Sequence, residues 1–209
     1  MGELRIAVLA SGNGTNLQAI IDRLHGRYGI EVVAVASDKP RAGALERARD
    51  AGIPTALFPL ARYRGRGARD REMADWLAGR EVDLVVLAGY MQLLEPEFVR
   101  RFANRILNVH PALLPSFPGL DAIGQALAHG VRVTGVTVHL VDEGVDSGPI
   151  VCQRAVEVPP SRDRAELESH IHEVEHELLP EAILLFAEAA IRLDPDNPRL
   201  VHVDEHARP

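Results

Sequence analysis

Two short stretches carry the residue types needed to stabilise charge on a carbonyl compound and to move its protons. Ile106-Leu107-Asn108-Val109-His110-Pro111 is an apolar strand ending in an Asn and a His two positions apart. Alternation along a strand points residues i and i+2 to one face, so Asn108 and His110 are expected to share one space. An amide donor beside an imidazole can hold a developing oxyanion and transfer a proton. Val141-Asp142-Glu143-Gly144-Val145-Asp146-Ser147-Gly148-Pro149 is an Asp-rich loop punctuated by glycine. Asp146 is the acid expected to come against His110. Taken singly, each residue has a plainer reading. A His after an apolar strand is most often structural, an Asn at a strand end forms turns, and Asp-Ser-Gly-Pro is a turn.

A third stretch suits a phosphate. Arg5 to Ala10 reads as a strand buried on both faces, Ser11-Gly12-Asn13-Gly14-Thr15-Asn16 follows, and a helix opens at Leu17. Strand, glycine turn and helix N-terminus together present backbone amides and a helix dipole to an anion. The third glycine of the dinucleotide fingerprint is missing, and Asp38 is the nearest candidate for its acidic ribose partner. A mononucleotide phosphate fits this turn better than NAD.

The elements that must position these stretches alternate. Glu31 to Ser37 reads as a strand and Ala42 to Ala51 as a helix closed by Gly52. Thr55 to Leu60 reads as a short strand made edge-like by Pro54 and Pro59, and Tyr63 to Gly67 as an Arg- and Gly-rich loop. A helix over Ala68 to Ala78 and a buried strand over Leu84 to Tyr90 complete the first half. The expected fold is therefore α/β, a Rossmann-like, mostly parallel sheet with helices on both faces. Such sheets bind ligands at the carboxyl ends of their strands, where the Ser11 turn, Met91 to Leu94 and Asn108 to His110 all sit. Ala122 to His129 then reads as a helix, and Gly135 to Val141 with Pro149 to Val158 as a hairpin-like strand pair. Asp163 to Leu193 reads as a long helix with a kink at Pro180. One domain over 1–209 is expected, with a phosphate half at 1–105, a catalytic half at 106–193 and a polar tail at 194–209.

Composition narrows the function. The 209 residues are 46% hydrophobic and 25% charged, as in ordinary globular proteins, and no apolar run is long enough for a membrane helix. A net charge of -7 disfavours a nucleic-acid partner. The single Cys152 and the lack of a signal-like N-terminus place the protein in the cytoplasm. Lys39 is the only lysine, so neither a Gly-Lys-Ser/Thr phosphate loop nor a Schiff base elsewhere is available. His172-Glu173-Val174-Glu175-His176 fits the zinc-protease pattern H-E-x-x-H. It lies in a helix crowded with charge and lacks a third ligand at a usual spacing, so a chance match is the better reading and no metal is expected.

The motifs, in their order, resemble the phosphoribosylglycinamide formyltransferases, folate-dependent enzymes of purine synthesis. The resemblance rests on residues 11–20 (SGNGTNLQAI), 87–91 (LAGYM), 108–115 (NVHPALLP) and 142–150 (DEGVDSGPI), and spans about Arg5 to Leu185. It implies transfer of a formyl group from 10-formyltetrahydrofolate, as co-substrate, to the amine of glycinamide ribonucleotide. It also implies small-molecule partners only, in a monomer or homodimer. By the same resemblance Asn108, His110 and Asp146 would be catalytic. Gly14, Thr15, Asn16 and Glu175 would hold the nucleotide. Met91, Gln92, Leu93 and Leu94 would line the folate pocket with Asn108, Asp142, Glu143, Gly144, Val145 and Asp146, and Arg66 would assist, with Arg64 as the competing choice. Asp121 stands where many members place a His and is given no role. Formyltetrahydrofolate hydrolases share the Asn-His-Asp set but carry an extra N-terminal domain, for which a fold starting by Arg5 leaves no room. Methionyl-tRNA formyltransferases usually add a C-terminal RNA-binding domain and a basic surface, unlike this acidic chain. A nucleotide-binding sensor on the same sheet would not need the three catalytic residues together.

Overall fold

The structure, a computed structural model, describes residues 3–204. Seven strands form one sheet in the order β3-β2-β1-β4-β5-β6-β7. They are β1 (Leu4–Leu9), β2 (Ile30–Ser37), β3 (Thr55–Leu57), β4 (Leu84–Leu87), β5 (Ile106–His110), β6 (Val133–Leu140) and β7 (Ile150–Glu157). The helices are α1 (Thr15–Leu24), α2 (Gly43–Asp50), α3 (Arg66–Ala78), α4 (Pro96–Arg101), α5 (Ala122–His129) and α6 (Arg164–Ala187). The chain forms two compact units, Met1–Leu107 and Asn108–Pro209.

In the first unit β1 pairs in parallel with β2 and with β4, and β2 with β3. The four residues of β4 are buried, as are Ile6 to Leu9 of β1. Continuous Val, Ile and Leu runs are what a parallel sheet covered on both faces requires. In α1, Leu17, Ile20 and Leu24 recur at helical spacing and are buried. β3 stops at Leu57, and Leu60–Arg62 forms a 3₁₀ turn instead of the expected end of the strand. Pro59 explains the difference, because it cannot donate to a ladder. α3 begins two residues earlier than the sequence suggests, with Gly65 as its N-cap at φ 147°, which puts Arg66 in its first turn. α4 has no counterpart among the expected elements. It is six residues long and starts at Pro96, whose fixed φ suits a first helical position.

In the second unit β6 and β7 form an antiparallel pair whose register shifts between Val138 and His139. Such an irregularity re-aims a side chain and bends the strand. α6 is capped by Asp163, whose carboxylate accepts the Glu166 N–H at 2.9 Å, and it runs on through Pro180. It ends at Ala187, short of the expected Leu193. A small hairpin of β8 (Ile191–Leu193) and β9 (Val201–Val203) takes up the last residues expected of that helix and part of the segment 194–209 expected to be a polar tail. Asp194 shapes its turn, accepting the N–H groups of Asp196 and Asn197 at 2.9 and 2.8 Å. Residues 205–209 of that segment lie outside the described residues.

Candidate functional site

Residues from separate parts of the second unit converge on the carboxylate of Asp146. Asn108 and His110 lie two apart on β5, and Asp146 lies in the loop between β6 and β7. Asp146 Oδ2 accepts the Gly119 N–H at 2.7 Å and lies 3.4 Å from His110 Nδ1. Asp146 Oδ1 accepts from Asn108 Nδ2 at 3.3 Å and lies 3.6 Å from His139 Nε2. The loop delivers this carboxylate by its own local bonding. Asp142 Oδ1 accepts from Gly144 N–H and Ser147 Oγ at 3.0 and 2.7 Å, and Gly148 passes so close to the Leu140 carbonyl that no side chain fits there. Asp146 itself has φ 49°, a left-handed conformation that Asp tolerates better than most residues.

The hydrogen bonds also orient the rings. His110 Nε2 lies 2.8 Å from the Phe117 carbonyl, which only accepts, so this nitrogen carries a hydrogen. When the ring takes a second proton, Nδ1–H faces Asp146. His139 Nδ1 is likewise held by the Leu140 carbonyl at 2.9 Å. Its Nε2, 3.0 Å from Asn108 Nδ2, accepts from that amide while the ring is neutral. His139 is a member of this cluster that the sequence reading missed. The backbone groups of Phe117 and Gly119 carry no side-chain signal at all.

Burial pushes the Asp146 carboxyl up, but His139, the Gly119 N–H and the charge of His110 outweigh burial and leave it below the ordinary carboxylate value. A carboxyl whose folded pKa is depressed adds stability above its unfolded pKa, about 3.9, and loses that contribution as pH falls through the lower folded value. The stability difference between the native protein and Asp146→Asn should therefore be full at neutral pH. It should shrink only as the medium becomes more acidic than the unfolded-chain value. Urea melts of both proteins across that range check this, and a difference that stays constant in acid contradicts it.

In the first unit, Gly14 is the N-cap of α1 with φ 75°, and Thr15 and Asn16 open the helix, Thr15 exposed and Asn16 buried. Ser11 joins this turn to the Met91–Leu94 segment. Its Oγ accepts the Met91 N–H at 2.9 Å and donates to Asp38 Oδ1 at 2.6 Å, while its N–H donates to Gly89. Asp38, weighed as a ribose partner, is thus occupied in fixing the turn. Met91 and Leu93 are exposed, Gln92 and Leu94 half-buried. Arg66 Nε pairs with Glu95 Oε1 at 3.0 Å. In the second unit Glu143, Gly144 and Val145 form the exposed tip of the Asp146 loop, and Glu175 is buried on α6. Asp121 caps α5 and pairs with Arg164 at 2.7 Å. His172 and His176 stack at 6.3 Å between ring centroids, and among the described residues no group of three or more His, Cys, Asp or Glu could hold a metal ion.

An amide, an imidazole and a carboxylate around one point can hold an oxyanion and shuttle a proton. A profile of the formyl transferase family matches residues 4–183. The phosphoribosylglycinamide formyltransferase of Haemophilus influenzae is 43% identical over 206 residues, covering 98% of this chain and 96% of its own length. The trifunctional purine biosynthetic protein adenosine-3 of Drosophila melanogaster is 42% identical over 92% of this chain, which matches 14% of that longer protein. The crystal structure of glycinamide ribonucleotide transformylase 1 from Symbiobacterium toebii superposes with a TM-score of 0.92 at 48% identity, covering 97% of this chain and 95% of that one. With the family model matched over residues 4–183 and these relatives aligned over nearly the whole chain, the chain belongs to the formyl transferase family, on its phosphoribosylglycinamide formyltransferase branch.

Proposed function

We propose that the chain transfers the formyl group of 10-formyltetrahydrofolate to the amine of glycinamide ribonucleotide, giving formylglycinamide ribonucleotide and tetrahydrofolate. The observation that carries this reading is the meeting of Asn108, His110 and Asp146 within hydrogen-bonding or ion-pair reach. The neutral amine attacks the formyl carbon, and the carbonyl oxygen takes up negative charge. Asn108 and protonated His110 donate to that oxygen once Asn108 Nδ2 gives up one of its bonds to His139 and Asp146 and His110 Nε2–H leaves the Phe117 carbonyl. Asp146 at Nδ1 supports the imidazolium by opposite charge. The amine's proton passes to folate N10 through His110 or a water as the bond from N10 to the formyl carbon breaks.

The Gly14–Asn16 turn holds the nucleotide phosphate with its amides, and Glu175 contacts the glycinamide end. Met91–Leu94 and the Asp142–Asp146 loop receive the folate, with Arg66 assisting once its pairing with Glu95 is exchanged for the ligand. Among the described residues no helix is long and apolar enough to cross a membrane. The setting we propose is the cytoplasm, with small molecules as the only partners, no metal, and a monomer or homodimer as the working unit.

One assay separates the readings. Purified protein is mixed with 10-formyltetrahydrofolate, with and without glycinamide ribonucleotide, in the presence of a chelator. Release of tetrahydrofolate only when the nucleotide is present is the expected result. Release without it makes the protein a hydrolase, and nucleotide binding without any release makes it a sensor.

A further inference from the structure

The mechanism leaves one pair of buried charges unused. Arg69 and Asp70 are neighbours on α3 with side chains 0% and 2% exposed, and Arg69 Nε donates to Asp70 Oδ1 at 2.7 Å. Adjacent residues on a helix ordinarily point apart, so this contact is not a by-product of helical spacing. The remaining hydrogen bonds of both side chains, among the described residues, end on one short segment. Arg69 Nη1 donates to Gln92 Oε1 at 3.1 Å and Nη2 to the Leu93 carbonyl at 3.0 Å. Asp70 Oδ2 accepts the Glu95 N–H at 2.7 Å.

Burying two charges is costly, and apolar residues of similar size often serve stability as well or better. What the pair supplies here is geometry. It fixes a side-chain amide, a carbonyl and an N–H over four consecutive residues, while Ser11 Oγ fixes the Met91 N–H from elsewhere in the first unit. The Met91 and Leu93 side chains, 61% and 56% exposed, are left on the open side. The guanidinium also sets the polarity of Gln92. With Oε1 held by a cation, the amide has its Nε2 hydrogens to offer, so it suits an acceptor on the ligand.

We propose that Arg69 and Asp70 are positioning residues for folate, holding Gln92–Glu95 in the form that receives the pterin without touching it. This rests on the reading of Met91–Leu94 as part of the folate pocket. Held segments of this kind act through placement, and a supporting shell left loose weakens a site that is otherwise intact.

Steady-state kinetics of the Arg69→Met/Asp70→Leu double variant test the proposal. The variant should fold and melt near the native temperature, since no charge is left unpaired. Its KM for 10-formyltetrahydrofolate should rise roughly tenfold to a hundredfold, the scale on which a misplacement of about 1 Å acts. Its KM for glycinamide ribonucleotide should not move. Arg69→Lys, which keeps the charge but loses the planar fork, should raise the folate KM in the same direction and less. It carries the test if the double variant does not fold. Met91→Ala and Leu93→Ala distinguish the two levels of failure. If they raise the folate KM and the Arg69 variants do not, the positioning role is overturned alone. If none of them moves it, the folate assignment of the segment falls and the positioning role with it. Equal rises in both KM values, or a loss confined to kcat, also overturn the positioning role.

Discussion

Asp146→Asn is expected to fold, to bind both substrates, and to turn over roughly 100 to 1,000 times more slowly than the native protein. The carboxylate receives donors on both oxygens, Gly119 N–H on one and Asn108 Nδ2 on the other. An amide has one accepting oxygen, so its NH2 must face one of those donors or break a contact. It also removes the charge that supports protonated His110. Asparagine is the appropriate probe because it keeps the shape and tolerates the left-handed backbone at φ 49°, which alanine does less well. His110→Ala should lose a similar factor. The double variant should lose little more than the worse single, because groups that act as a unit are not additive. Thermal melts and ligand titrations establish that each protein is folded and loaded, after which kcat decides. Near-native kcat in either folded single variant removes these residues from the chemistry.

Some of this arrangement was readable because it is local. A buried run of Val, Ile and Leu ending in a glycine turn and an amphipathic α1 needs only neighbouring residues, and period-two alternation puts Asn108 and His110 on one face. The hairpin that carries Asp146 is announced by the glycines and proline around it. His139 was not readable, because one histidine in an apolar strand looks like any other. Its importance comes from a register irregularity at Val138/His139 and from the strand it lies beside. Arg69 and Asp70 hid for a different reason. The run Arg69-Asp70-Arg71-Glu72 looks like a solvated helical face, yet its first two members are buried and the next two exposed. Burial of charge is set by tertiary packing, which local pattern does not contain. The β8–β9 hairpin was missed because strands of three residues give too little alternation to separate β8 from the end of a long helix or β9 from a polar tail.

Gly14→Ala should abolish productive nucleotide binding, whereas Gly12→Ala, two residues earlier in the turn, should lose far less. Gly14 has φ 75°, where an L side chain costs about 1–2 kcal/mol. The larger obstacle is space. A Cβ at Gly14 would lie 2.6 Å from Ala44 Cα and 2.7 Å from Ala44 Cβ. Those atoms belong to the first turn of α2 and cannot swing aside as a long side chain could. The turn is further seated on that helix by Ala44 N–H to the Gly12 carbonyl at 3.2 Å and by Arg47 Nε to the Asn13 carbonyl at 2.9 Å. Relieving the clash therefore means lifting the turn off α2, which carries the amides of Thr15 and Asn16 away from the position proposed for the phosphate. At Gly12 a Cβ meets nothing within 4 Å. Stability should fall by about 1–3 kcal/mol for Gly14→Ala, the usual range for a core clash. Calorimetric titration with glycinamide ribonucleotide is the direct reading. Native affinity in Gly14→Ala would show that the phosphate is held elsewhere, while equal losses in both variants would point to the loop's flexibility and not to its seat on α2.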